Sequence, residues 1–300
     1  MSMPYLGEIS ALLTAILWAV SSYFFASAIN KIGSLNVNFL RLVISLILLA
    51  VTIFIFNLSI DISLRQWILL MLSGIVGLAI GDALFFKSLE YLSPRISTLV
   101  TSLSPAISAI MAFLFLNERI SIMNITGIFI ALSGVMLVVF KKEENTGNAK
   151  NTKELNKGLL YAFLYTLGQG GGIILAKFAY EEKEVNSITA TAIRILPAAI
   201  ILVPFFWMKV KSFKPKIIFQ GNKKIFSDVL LATILSAYIG MVLMFVSVTQ
   251  TSIAVASTIM GTVPIIQLVI VRFFYKERLT FRSYVGAIIN VIGIIILFWK

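Results

Sequence analysis

The sequence predicts an all-α integral membrane protein, ten transmembrane helices arranged as two inverted five-helix repeats. Three observations lead there: a composition that water cannot solvate, ten apolar runs of spanning length, and a second half that repeats the first. Of the 300 residues 59% are hydrophobic and 13% charged, with a mean hydropathy of +0.98. A soluble domain carries about 25% charged residues. A surface this poor in charge has lipid as its solvent.

A hydrocarbon core of about 30 Å takes roughly 20 apolar residues in a helix. Measured against that length, spans fall at about 7–29, 37–57, 66–90, 94–116, 120–140, 157–180, 188–208, 228–249, 253–275 and 280–299. The first apolar run, Ile9 to Ile29, lacks a basic start and an A-x-A-like site, so it reads as a span and not as a cleaved signal. The second opens on VNFLRLVI, and the third carries Gly77 and Gly81 with Trp67 at its edge. Pro105 lies within the fourth, and Gly127 and Gly134 lie within the fifth. A polar stretch without periodicity, KKEENTGNAKNTKELN at 141–156, separates the halves. The sixth span holds Gly168 to Gly172, and the seventh ends near Trp207. After a lysine-rich stretch at 209–227 come the eighth, the ninth with Pro264, and the tenth, ending at Trp299. Trp67, Trp207 and Trp299 fit an interfacial aromatic belt.

The halves are copies. Residues 81–140 align without a gap to 240–299, a shift of 159. Gly81 meets Gly240, Phe86 meets Phe245, Ser88 meets Ser247, Ser93 meets Ser252 and Pro105 meets Pro264. Glu118-Arg119 meets Glu277-Arg278, Gly127 meets Gly286 and Gly134 meets Gly293. Apolar segments share Leu and Ile by chance, but not Pro, Glu-Arg and two Gly at identical spacing. Further upstream Arg41 in NFLRLVI corresponds to Arg194 in TAIRILP at a shift of 153. The expected units are 1–140, a linker at 141–156, and 157–300. Each holds an odd number of spans, so two copies following the same path enter the membrane from opposite sides, the architecture of many secondary transporters.

The stretch FFKSLEYLSPRISTLVTSLSPAISAIMAFLFLNERISIMNITGIFIALSGVMLVV resembles the EamA type of the drug/metabolite transporter superfamily. Its fourth span contains a Pro and ends on Glu-Arg, and its fifth carries Gly-x6-Gly. WAVSSYFF in the first span is similar to the family's Trp-Gly-Ser-Asn-Phe start, with Ala19 in place of the Gly and Tyr23 near the Asn position. The equivalent stretch of the second half, LGQGGGIILAKF, has Gln169 where the Trp is missing. The resemblance implies a ten-helix alternating-access carrier with a central cavity, in a family whose bacterial members include exporters of amino acids and other metabolites.

Ionisable side chains inside a membrane are expensive and mark candidate sites. Asp82 lies about sixteen residues into the third span, too deep and too short to reach the headgroups. It must pair with a cation, sit in water or take up a proton, so proton coupling and a structural ion pair are both open. Arg41 and Arg194 lie about one turn inside their helices, where they reach the interface or line a cavity and grip a carboxylate or phosphate. Lys87, Lys177 and Arg272 lie nearer span ends and read as structural, Lys87 with Glu90 as a local pair. Trp18, Tyr23, Gln169, Tyr238, Gln267 and Asn290 are aromatic or amide candidates for lining the cavity. Pro105 and Pro264 each remove a backbone hydrogen bond in mid-helix and are expected to kink it. The glycine pairs 77/81 and 168/172 have small-xxx-small spacing for close helix contact.

The chain has no cysteine and no histidine, which removes disulfides, Cys or His metal sites and His-dependent triads. No enzyme, metal or cofactor is expected. The net charge of +12 sits mostly between spans, as at Lys141, Lys142 and Lys150, where it meets anionic headgroups and not nucleic acid. The family pattern puts both termini in the cytoplasm, whereas the basic stretches at 141–156 and 209–227 argue for the reverse, so orientation stays open. The expected protein is a secondary active exporter of a small polar metabolite such as an amino acid, in the cell inner (plasma) membrane. Its expected partners are a small-molecule substrate, membrane lipid and, on the coupling alternative for Asp82, protons, and it is a monomer or a homodimer. The alternative is a carrier of larger amphipathic, drug-like or lipid-linked substrates. Against a drug substrate, the first span has only Glu8, near its start, where small multidrug relatives depend on a Glu in mid-helix.

Overall fold

A computed structural model describes residues 5–116, 121–139, 151–182, 185–210, 223–251, 253–273 and 279–297. Among these residues every regular element is helical. Helix α1 (Leu6–Ile32) turns into α2 (Ser34–Ile55) through Gly33 alone. Its φ of 82° is a left-handed value that a side chain would strain. Helix α3 starts at Leu64 behind a capping box in which Ser63 and Gln66 satisfy each other's backbone N–H groups. It runs as Leu64–Gly74, a π turn at Ile75–Gly81, and Asp82–Ser88.

Next come α4 (Pro94–Thr101), α5 (Ser104–Leu116) and α6 (Ile122–Val139). The second half holds α7 (Thr152–Glu182), α8 (Ser187–Val210) and α9, which runs as Lys223–Thr233, a π turn at Ile234–Gly240, and Met241–Gln250. The described chain closes with α10 (Ile253–Met260), α11 (Val263–Phe273) and α12 (Phe281–Leu297). Among the described residues seven helices are long and apolar enough to cross a membrane: Leu6–Ile32, Ser34–Ile55, Leu64–Ser88, Pro94–Phe115, Thr152–Glu182, Ser187–Pro204 and Lys223–Ser247. Three shorter apolar helices, Ile122–Val138, Val263–Phe273 and Phe281–Leu297, join them. Phe54, Phe56, Phe115, Phe129 and Phe273 stand exposed on the outside, a surface for lipid.

The repeat is visible in the backbone. The two π turns lie at positions related by the shift of 159, as do the interruptions at residues 102–103 and 261–262. Those interruptions revise the expected mid-helix kinks. Pro105 and Pro264 occupy the second position of α5 and α11, where a missing N–H costs little, and the break precedes them. The expected linker is also shortened. Helix α7 begins at Thr152, with the Asn151 side chain accepting the N–H of Glu154 at 2.9 Å. The first turn there is polar, so a measure of apolar length misses it. Residues 141–150, most of the 209–227 stretch, the two Glu-Arg pairs at 118–119 and 277–278, and Trp299 lie outside the described residues, as does the side chain of Trp207.

Glycines set the closest contacts. A Cβ on Gly127 would meet the backbone of Leu297 and Gly293, and one on Gly134 would meet that of Asn290 and Gly286. Rising numbers on α6 thus face falling numbers on α12: the two helices are antiparallel. The contact is self-complementary under the repeat, since Gly127 corresponds to Gly286 and Gly134 to Gly293. On the other side of the bundle Gly77 mates with Gly172, and Gly81 with Gly168, so the small-xxx-small pairs pack on each other. Between α2 and α8 the core is apolar, with Leu42, Leu49, Ile195, Ala198 and Leu202 fully or almost fully buried.

Candidate functional site

A cavity of about 500 Å³ opens where the two halves meet. Its lining follows the repeat. Arg41 and Arg194 both face it, as do the pairs Asp82 and Met241, Phe85 and Met244, Thr101 and Met260, Ser102 and Gly261, and Ser104 and Val263. The last five pairs are each related by the shift of 159. Equivalent positions therefore share one cavity with unequal chemistry. The first half presents a carboxylate and hydroxyls where the second presents methionines, glycine and valine.

The polar centre is built around Asp82, the first residue after the π turn of α3. Arg41 from α2 donates to its Oδ2 at 2.6 Å, with both side chains under a tenth exposed. The same guanidinium donates to Asn38 Oδ1 at 3.2 Å. Gln169 from α7 donates to Asp82 Oδ1 at 3.0 Å and lies 3.4 Å from the carbonyl oxygen of Gly77 within the π turn. Trp18 makes the mirrored contact, its Nε1 donating at 3.4 Å to the carbonyl of Ser236, the repeat partner of Gly77. A side-chain N–H from the first helix of each half thus reaches the π turn of the other half. Such turns leave carbonyls off the regular ladder.

The arginines are matched as well. The Arg41 guanidinium carbon stands 5.2 Å from the ring centre of Phe86, and that of Arg194 stands 5.4 Å from Phe245, the repeat partner of Phe86. Both distances fit a cation–π contact. Their counter-charges are not matched. Asp82 serves Arg41, but Met241 stands at the corresponding position of the second half. Arg194 is 2% exposed. Its Nε is buried without a hydrogen-bond partner, and no carboxylate lies within ion-pair distance of it among the described residues.

Thr98, Thr101, Ser102, Ser104 and Ser108 add hydroxyls to the lining. Ser104 Oγ donates to the Thr101 carbonyl at 2.7 Å, taking the place of the N–H that Pro105 lacks. The Ser108 hydroxyl is buried without a partner.

Of the residues singled out in the sequence, Trp18, Arg41, Asp82, Gln169, Arg194 and Pro105 line the cavity. Tyr23, Tyr238, Gln267, Asn290 and Pro264 do not. Tyr238 shares a hydrogen bond of 2.6 Å with Thr52. Gln267 donates to Ser22 at 2.8 Å and accepts from Thr98, and Asn290 accepts from Ser102 at 2.8 Å while donating to the Ala131 carbonyl. Both buried amides tie helices together. Lys177, read from sequence as a span-end residue, lines the cavity, as do Tyr165, the hydroxyls and the methionines. A lysine inside a span was the available signal for Lys177. A serine, threonine or methionine in an apolar helix carries none.

The model of the EamA-like transporter family matches residues 5–140 and again 156–299. The chain is similar to an uncharacterized transporter of Archaeoglobus fulgidus, 24% identical over 227 residues and 76% of each chain. A second from that organism is 22% identical over 286 residues, 94% of this chain and 93% of that one. An uncharacterized transporter of Haemophilus influenzae is 25% identical over 206 residues, 67% of this chain and 64% of its own. A solved crystal structure shares the fold, with a TM-score of 0.70 at 14% identity over 97% of both chains.

Proposed function

The chain belongs to the EamA-like transporter family, and from that premise we propose that it is a secondary active exporter of a small polar metabolite such as an amino acid. The two five-helix repeats, 1–140 and 157–300, lie inverted in the membrane and rock about the cavity between them, with ten spans in all. One observation carries this reading: equivalent residues of the two repeats line one shared cavity. The antiparallel, self-complementary glycine contact of α6 with α12 supports the inversion. A volume of about 500 Å³ suits a small solute and disfavours a lipid-linked sugar.

The expectation of proton coupling rested on a deep carboxylate in search of a partner. Arg41 and Gln169 are such partners, and no proton is assigned here. The test is a thermal-shift screen of the purified protein against amino acids, nucleosides and sugars, followed by counterflow of each stabilising compound in proteoliposomes. Counterflow of at least one is expected. Stabilising compounds that all fail to exchange across the bilayer would overturn the carrier reading.

A further inference from the structure

The repeat fails at the Asp82 position of the cavity, and among the described residues no carboxylate lies within ion-pair distance of Arg194. Arg41 and Arg194 share their helix position, their aromatic neighbour and their access to the cavity. Asp82 neutralises the first at 2.6 Å, and the residue equivalent to Asp82 in the second half is Met241. Arg194 is 2% exposed, and its Nε, like that of Arg41, is buried without a partner, so the two arginines differ in the carboxylate alone. Guanidinium stays protonated in proteins, so burial does not discharge it. A buried charge is tolerated when something pairs with it, and the cavity is where a mobile partner can enter.

We propose that Arg194 forms an anion subsite, and that a substrate carboxylate lies beside it in the place that the Asp82 carboxylate takes beside Arg41. The molecule carries its own template for that ligand: a planar carboxylate on a guanidinium that also faces a phenylalanine ring. Met241 and Met244 add adaptable apolar surface to the same cavity, and Lys177 adds a further positive charge. The subsite rests on the carrier reading for its use and adds the charge of the ligand.

The test uses the purified full chain in detergent, with thermal unfolding followed in benzoate, in its neutral amide benzamide, and in inorganic phosphate. Benzoate raises the Tm of the wild type and benzamide does not. Arg194→Gln raises the benzoate concentration for half-maximal effect about tenfold to hundredfold, as loss of a charge-assisted bond implies, and Arg194→Lys retains part of the response. Met241→Asp supplies the carboxylate from within, so it folds at least as stably as wild type and no longer responds to benzoate.

Should Arg194→Gln fail to fold, Met241→Asp carries the test alone. An equal response to benzamide, a full benzoate response in Arg194→Gln or Met241→Asp, or a response to phosphate without one to benzoate would each overturn the subsite. Counterflow in proteoliposomes separates the two readings. Binding as expected without exchange overturns the carrier and leaves the subsite, whereas unchanged exchange of carboxylates by Arg194→Gln overturns the subsite and leaves the carrier.

Discussion

Removing either partner of the Arg41–Asp82 pair should destabilise the protein far more than removing both. At 2.6 Å and an effective dielectric of about 20, the attraction is about 6 kcal/mol. Both side chains are under a tenth exposed, so desolvation costs several kcal/mol per ion and nearly cancels that attraction. The net worth of the pair is therefore small. Deleting one member is another matter, because the survivor keeps its desolvation cost and loses its compensation. Asp82→Leu and Arg41→Met are each expected to lose about 3–5 kcal/mol, and the double variant to stay within about 1 kcal/mol of wild type. Gln169 and Asn38 hold hydrogen bonds to the pair and soften the singles somewhat. Reversible unfolding in mixed micelles with increasing denaturing detergent measures all three, and the double-mutant cycle extracts the coupling. Additive losses in the double variant would refute the reasoning, as would singles costing less than about 1 kcal/mol, the range of a solvated surface pair.

Two further outcomes follow from local geometry. Gly134→Ala and Gly293→Ala should each cost about 1–3 kcal/mol or more, because a Cβ at either site lands on backbone of the facing helix; Gly171→Ala, with Val76 Cγ1 3.4 Å away as its nearest neighbour, should be close to neutral in the same unfolding assay. Glu90 lies in the turn after Ser88, outside the span. Burial pushes its carboxyl up, but Lys87 and the Ser34 N–H at 3.1 Å outweigh that and hold it below its ordinary value of 4.5. Its stabilising contribution is then fully present above pH 4.5 and lost as pH falls through the lowered value. Glu90→Gln should cost about 0.5–1.5 kcal/mol at neutral pH, with the gap to wild type closing on acidification; a gap independent of pH would refute the cap.

Much of the fold was legible because lipid imposes one rule on every span. Backbone groups must bond within the segment, so apolar length reads directly as helix, and the shift of 159 carried the repeat without reference to contacts. Helix ends were less legible where they are polar, as at Thr152, since water beside the membrane lets a helix continue without apolar residues. The π turns at 75–81 and 234–240 were invisible for a different reason: one extra residue per turn leaves no mark on composition. Of the site, the charged residues stood out because charge in a span is costly, and Arg41, Asp82 and Arg194 do converge. The amides misled. Gln267 and Asn290 needed partners just as a ligand-binding amide would, and found them on neighbouring helices. Hydroxyls gave no signal, since a serine can return its proton to its own helix, as Ser236 does to the Ala232 carbonyl.

On the carrier reading, the repeat and its lapses divide the labour. Two inverted copies exchange conformations readily because each state is close to the other with the halves interchanged, so residues that serve the motion recur in both. Gly127 and Gly134 with Gly286 and Gly293, the paired π turns, and the interruptions before Pro105 and Pro264 are of that kind. A metabolite has no such symmetry. A site that holds it in one orientation must differ between the halves on the cavity wall, and it does: Asp82 stands against Met241, Thr101 against Met260 and Ser104 against Val263, while Trp18 and Gln169 are the donors to opposite π turns. The first half therefore gives the cavity its carboxylate and hydroxyls and the second its methionines, with two arginines at equivalent positions of which one is already neutralised. A ligand with a carboxylate for Arg194, a polar edge for the hydroxyls and a less polar edge for the methionines meets all three demands in a single orientation.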